Sequence, residues 1–134
     1  MKRITLAIVF CLLFSIIAAP VVYAETTVIP RLDNISYAQC KMTLSNNTAT
    51  IKVGYVGFDG CIKQATITTK LQKQFLFFFW TEEKTWYDTS TEDSATFTHN
   101  YGVSSGTYRI EVTYEIIGND GTTDSFTEYR EASC

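Results

Sequence analysis

The chain has 134 residues, a net charge of −3 and 46% hydrophobic residues. This length is enough for one domain with its own core and too short for two. The Lys and Arg residues form no cluster, which argues against nucleic acid as a partner, because phosphate binding needs concentrated positive charge.

The first 24 residues have the order of a secretory signal peptide. Lys2 and Arg3 precede a long apolar run, and the small residues Val22 and Ala24 fit a peptidase that cuts after Ala24. An uncleaved membrane anchor is the alternative, because the run is nearly long enough to span a bilayer. The pattern favours cleavage, which predicts a secreted, extracellular protein with no transmembrane span. Cleavage removes two cations and no acid, so the mature net charge becomes about −5.

An extended leader over residues 25–34 is predicted to follow the signal peptide, and the rest of the chain predicts strands. Apolar and polar residues alternate with period two, and turn-forming residues divide the pattern into seven segments. The fourth segment is interrupted near residues 81–84. The predicted strands cover residues 35–45, 48–56, 61–73, 75–87, 95–101, 107–117 and 123–130. Seven strands in this length favour an all-β, immunoglobulin-like sandwich of two antiparallel sheets over residues 35–134.

Two turns and one local motif support this fold. Asn46-Asn47 and the Gly118–Gly121 segment are typical hairpin turns. The segment Ser104–Arg109 looks like a tyrosine corner, in which the hydroxyl of Tyr108 returns to upstream backbone. An ordinary turn before a strand explains the same residues equally well. Ile110 stands where antibody domains have a cysteine, so their inter-sheet disulfide is absent.

Three cysteines remain after cleavage: Cys40, Cys61 and Cys134. An oxidising compartment favours a disulfide. The Asn46-Asn47 turn places Cys40 opposite Val53, and Cys61 begins the next strand beyond that ribbon. We therefore predict a Cys40–Cys61 disulfide with Cys134 free. A bridge from Cys134 to either of the others is the alternative.

The apolar run from Phe75 to Trp80 is the most unusual segment. Successive side chains of a strand point to opposite faces, so the run cannot bury all of them in one core. A strand covered on its second face by a loop or partner chain is one interpretation. The other is an exposed aromatic patch for a binding partner or membrane. The predicted binding residues are Phe75, Phe77, Phe79, Trp80, Trp86 and Tyr87.

Two tryptophans and a tyrosine could also stack on sugar rings. Trp80, Trp86 and Tyr87 lie close together in the sequence. Nearby carboxylates belong to Glu82, Glu83 and Asp88. In a small sandwich, however, tryptophan is more often part of the core or its edge.

No catalytic residues, metal ligands or cofactor motif are predicted. His99 is the only histidine, and alternation places it on the same face as Phe97 and Tyr101. No serine lies in a nucleophile elbow, and the adjacent acidic pairs do not face each other across a substrate. The cysteine spacings form no zinc pair. These observations make an enzyme the least favoured class.

The motifs resemble those of a group of short, uncharacterised secreted proteins of Gram-positive bacteria. The similar segments are Thr68–Lys73, Trp80, Trp86, Gly106–Arg109 and Glu128-Tyr129. The resemblance covers nearly the whole mature chain and implies a bacterial extracellular β-sandwich without an assigned activity. This chain departs from the group at the apolar run, where the others have a polar turn.

The favoured function is therefore a secreted binding module that uses the aromatic segment on a protein, cell-envelope or glycan partner. The second hypothesis is a structural or self-assembling protein that forms a homodimer through the same segment. The two hypotheses differ in oligomeric state, which sedimentation can measure.

Overall fold

The computed structural model describes residues 32–134. The predicted signal peptide and most of the predicted leader lie outside these residues. The described part contains seven antiparallel strands and no helix, as the alternation predicted. The strands are β1 (Ile35–Ser45), β2 (Thr48–Gly57), β3 (Ile62–Phe75), β4 (Phe79–Ser90), β5 (Ser94–Gly102), β6 (Thr107–Gly118) and β7 (Thr123–Ser133).

The strands form the two sheets of an immunoglobulin-like sandwich. One sheet has the order β1-β2-β5, and the other has the order β4-β3-β6-β7. Hairpins join β1 to β2, β3 to β4 and β6 to β7, while the remaining connections cross between the sheets. The core lies between the sheets, because the apolar residue at every second position of each central strand points inward. Its fully buried members include Ile51, Val53, Ile67, Leu71, Ile110, Val112 and Ile116.

The tyrosine corner is present at the start of β6. The hydroxyl of Tyr108 donates a hydrogen bond to the Ser104 carbonyl oxygen at 3.0 Å, and the Ser104 amide donates to that hydroxyl at 3.2 Å. A second tyrosine of β6 joins the two sheets, since the Tyr114 hydroxyl donates to the Gln39 carbonyl oxygen at 2.6 Å. These bonds hold β6 at the centre of the sandwich.

A buried carboxylate fixes the chain where it enters β1. Asp124 of β7 accepts hydrogen bonds from the backbone amides of Asp33 at 2.9 Å and Asn34 at 2.8 Å. Asn34 is itself buried and accepts a bond from the Thr122 hydroxyl. Asp33 and Asn34 therefore lie at the end of the domain opposite the β3–β4 turn, as the strand directions require.

One buried hydroxyl of the core has no hydrogen-bond partner. Thr69 of β3 is fully buried between Trp86 and Val112, and its Oγ1 is unsatisfied. The substitution Thr69→Val keeps the shape and removes the buried polar atom, so we expect the free energy of unfolding to rise by about 1 kcal/mol. Urea unfolding measures it.

The matched control is Thr68→Val, on the outer face of the same strand, which should change stability by less than about 0.5 kcal/mol. A loss of stability in Thr69→Val alone would show that the hydroxyl has a stabilising partner.

Candidate functional site

The apolar run forms the turn of the β3–β4 hairpin rather than the start of a strand. Phe75 pairs with Phe79, and the three residues Leu76, Phe77 and Phe78 connect them. The prediction that the fourth strand begins at Phe75 was therefore wrong: β4 begins at Phe79 and continues to Ser90. Alternation between two faces does not apply to a turn. The interpretation of the run as a buried strand is wrong for the same reason.

The side chains of the three turn residues and of the Phe75–Phe79 pair that flanks them are all exposed. We call Phe75–Phe79 the apolar tip; its exposure reaches 85% at Phe77 and 84% at Phe78. The tip extends beyond the sandwich, because the pairing of β3 with β6 ends where Lys73 meets Tyr108. Two further residue pairs and the turn follow, so the end of the hairpin lies roughly 10 Å beyond that pair.

The tip backbone has a conformation that its residues disfavour. Leu76 and Phe77 have φ angles of 48° and 66°, in the left-handed region. The β1–β2 turn of the same chain has nearly the same angles, 49° and 58°, but uses Asn46 and Asn47 there. Asn tolerates this region, whereas a bulky residue costs roughly 1–2 kcal/mol. The large apolar side chains at Leu76 and Phe77 therefore lower the stability of the domain, relative to Asn at the same positions.

Contacts at its base fix the tip to the sandwich. Trp80 follows the tip on the outer face of its sheet, and its ring centroid lies 4.3 Å from the guanidinium carbon of Arg109. The guanidinium is also 5.4 Å from the ring centroid of Tyr129, and its Nε donates to Gln72 Oε1 at 2.6 Å. Each of these four residues belongs to a different strand, so the hairpin is held in one orientation.

Trp86 lies on the opposite face of β4 from Trp80. A β-bulge separates them: Leu71 pairs with Lys84 but Gln72 pairs with Glu82, which leaves Glu83 as the extra residue. The extra residue reverses the alternation, so Trp86 points toward the core while Tyr87, 75% exposed, points outward.

The arrangement in which Trp80, Trp86 and Tyr87 could stack on sugar rings is therefore not assembled, and Trp86 packs at the core, as the alternative had it. Of the six predicted binding residues, the structure brings Phe75, Phe77, Phe79 and Trp80 together and separates Trp86 and Tyr87 from them. Leu76 and Phe78 are exposed beside them, although they were not among the predicted binding residues.

His99 lies on the inner face of β5, as predicted, and packs at the core edge. Its ring stacks on Trp86 with the centroids 4.8 Å apart, and its Nε2 lies 2.7 Å from Asp88 Oδ2. This pair joins β5 to β4 across the sandwich. The part of the chain that the structure describes contains no group of three or more His, Cys, Asp or Glu residues that could hold a metal ion.

The predicted Cys40–Cys61 disulfide is wrong. Cys40, Cys61 and Cys134 are all unbonded. Cys40 does pair with Val53, but Cys61 lies beyond Gly57, which pairs with Ile35. Five residues of β1, roughly 16 Å, therefore separate the α-carbon of Cys40 from the end of the ribbon where Cys61 lies, and a disulfide needs α-carbons within about 7 Å.

The alternative bridges to Cys134 are also absent. Cys134 lies at the other end of the sandwich, where its sulfur is 3.5 Å from the Ser104 carbonyl oxygen. Burial raises the pKa of the Cys40 thiol to about 12, so this thiol stays protonated and unreactive at neutral pH.

Over residues 32–134 the structure has no helix that is long and apolar enough to span a membrane. Comparisons of the chain with protein-family models, with curated proteins and with solved structures find no match.

Proposed function

We propose that this protein is a secreted, non-catalytic binding module that attaches to the bacterial cell envelope through its apolar tip. One observation carries the proposal: five consecutive large apolar residues are exposed on a turn that projects from the domain. The signal-peptide pattern and the resemblance to secreted Gram-positive proteins support a location outside a bacterial cell.

The energetics of the tip support a binding role. Large exposed apolar patches are uncommon on monomeric proteins and usually mark a contact surface. Burial of one side chain such as Phe77 or Phe78 contributes about 1.5–3 kcal/mol. The burial of several such side chains together contributes more free energy than the low end of the cost of association. The tip is also held in one orientation by Arg109 and Trp80, which reduces the entropy lost on binding.

Self-assembly through the same tip is the second candidate. A two-fold dimer needs the same surface to be complementary to itself, and a stable interface buries about 800 Å² on each partner. A concentration-independent monomer in sedimentation equilibrium would argue against assembly and in favour of the binding module.

The test is retention of the mature chain by envelopes isolated from Gram-positive cells. We expect Phe77→Ser and Phe79→Ser each to reduce retention by about tenfold or more, since each removes an apolar side chain from the contact. Both variants should keep the circular dichroism and unfolding midpoint of the unaltered chain, because neither residue packs in the core.

Tyr87→Ser is the matched control. Tyr87 is an exposed aromatic residue of the same hairpin that lies away from the tip, so its loss should leave retention unchanged. The proposal fails if the tip variants are retained as well as the Tyr87→Ser variant.

A further inference from the structure

We infer that the envelope component bound by the apolar tip is the interfacial region of a lipid bilayer. This inference rests on the function proposed above and names its partner. The first argument is shape. The tip is convex, and its side chains are exposed on both faces of the ribbon as well as at the turn. A protein partner would need a deep pocket to contact them all, whereas fluid lipid closes around such a shape.

The length of the projection fits this partner. The hairpin extends beyond the pairing of Lys73 with Tyr108 by two residue pairs and a three-residue turn, roughly 10 Å. Interfacial segments of membrane-bound proteins lie about 5–10 Å deep, at the boundary of headgroups and acyl chains. The part of the hairpin that leaves the sandwich is therefore long enough to reach this depth and too short to cross the bilayer.

Hydrogen bonds within the hairpin lower the cost of removing its backbone from water. A polar backbone group without a partner is costly in an apolar medium. Phe75 and Phe79 pair across the ribbon, and Gln74 Nε2 donates to the Phe77 carbonyl oxygen at 3.1 Å. The Gln74 side chain thus provides the Phe77 carbonyl oxygen with a hydrogen bond that water would otherwise provide.

The residues at the base of the tip match the chemistry of the headgroup layer. Trp80 lies directly after the apolar residues, and tryptophan is enriched at membrane–water interfaces. Arg109 stacks on it, and the Lys73 ammonium nearby donates to Ser104 Oγ at 2.6 Å. Long cationic side chains at this level can reach lipid phosphates.

The charges beyond the base nearly cancel. Glu82 and Glu83 of β4 follow Trp80, and both are exposed, as is Lys84. The three cations Lys73, Lys84 and Arg109 are therefore nearly offset by these two carboxylates, and the whole chain is acidic. Apolar burial rather than attraction to anionic lipid must then drive binding, so zwitterionic vesicles should suffice and added salt should matter little.

The experiment is flotation of the mature chain with phosphatidylcholine vesicles. We expect the unaltered chain to float at low salt and at about 1 M salt alike, because this ionic strength screens surface charge but not apolar burial. The variants Phe77→Ser and Phe79→Ser should partition roughly 10- to 100-fold more weakly, and Tyr87→Ser should not differ from the unaltered chain. In Phe77→Trp, brominated acyl chains should quench the added tryptophan.

The outcomes separate this inference from the proposed function. Retention by envelopes that depends on the tip, without flotation on vesicles, overturns the bilayer and leaves the binding module with a protein or glycan partner. Flotation that the tip variants do not reduce also overturns the inference. If the unaltered chain is neither retained by envelopes nor floated by vesicles, the proposed function itself is overturned.

Discussion

The double substitution Leu76→Asn/Phe77→Asn is expected to stabilise the domain and to abolish binding at the tip. Both positions have φ angles in the left-handed region, which the β1–β2 turn assigns to Asn46 and Asn47. Relief of the strain should raise the free energy of unfolding by about 1–2 kcal/mol. Loss of two apolar side chains from the contact should weaken binding by roughly 100-fold or more. Urea unfolding and envelope retention measure the two effects.

Opposite signs of the two effects make this variant informative, because a more stable protein that no longer binds cannot have lost binding through unfolding. The reciprocal variant Asn46→Leu/Asn47→Phe is the matched control, since it introduces the same strain at a second turn of the same sandwich. It should lower stability by about the amount that the first variant gains. A destabilised Leu76→Asn/Phe77→Asn protein would contradict the argument, because the tip side chains would then stabilise the fold.

The substitution Tyr114→Ala is expected to have the largest effect on stability, a loss of about 4–5 kcal/mol. Tyr114 is fully buried, and its ring stacks on Phe126 with the centroids 4.7 Å apart. Its hydroxyl reaches across the sandwich to the Gln39 carbonyl oxygen. Truncation removes the ring, opens a cavity and leaves that carbonyl without its cross-sheet partner. Thermal and urea unfolding both measure the loss.

The variant Tyr114→Phe separates the ring from the hydroxyl. It keeps the stacking on Phe126 and removes only the hydrogen bond, so we expect a loss of about 1–2 kcal/mol. An equal loss in the Phe and Ala variants would show that the hydrogen bond, rather than packing, dominates. Antibody domains have a disulfide between their sheets; this chain has Ile110 at that cysteine position, and the Tyr114 hydroxyl joins the sheets by a hydrogen bond.

Much of the fold could be predicted because its signals are local. The predicted limits of the first strand coincide with β1, and the pairing of Cys40 with Val53 follows from the Asn46-Asn47 turn alone. The tyrosine corner could be predicted because Tyr108 and Ser104 lie four residues apart. Each of these features depends on a few neighbouring residues, whose conformational preferences do not require the rest of the chain.

The apolar tip could not be predicted from its neighbouring residues, because its residue types favour a strand whereas its conformation is a turn. Phe and Leu have no preference for turns, and an aromatic run is typical of a strand. The turn falls at Leu76–Phe78 because the pairing of β3 with β4 and with β6 fixes the register on both sides. Leu76 and Phe77 have positive φ angles, but the sequence has at these positions none of the residues that usually indicate such angles.

The sequence by itself determined that this chain forms strands and where most of them begin and end. Alternation is a property of each strand alone, so it can be read without a partner. Only the tertiary structure decided the distance between Cys40 and Cys61, the separation of Trp80 from Trp86 and the exposure of the apolar tip. The bulge at Glu83 separates the two tryptophans, and the register of the strand pairs sets the cysteine positions and the place of the turn.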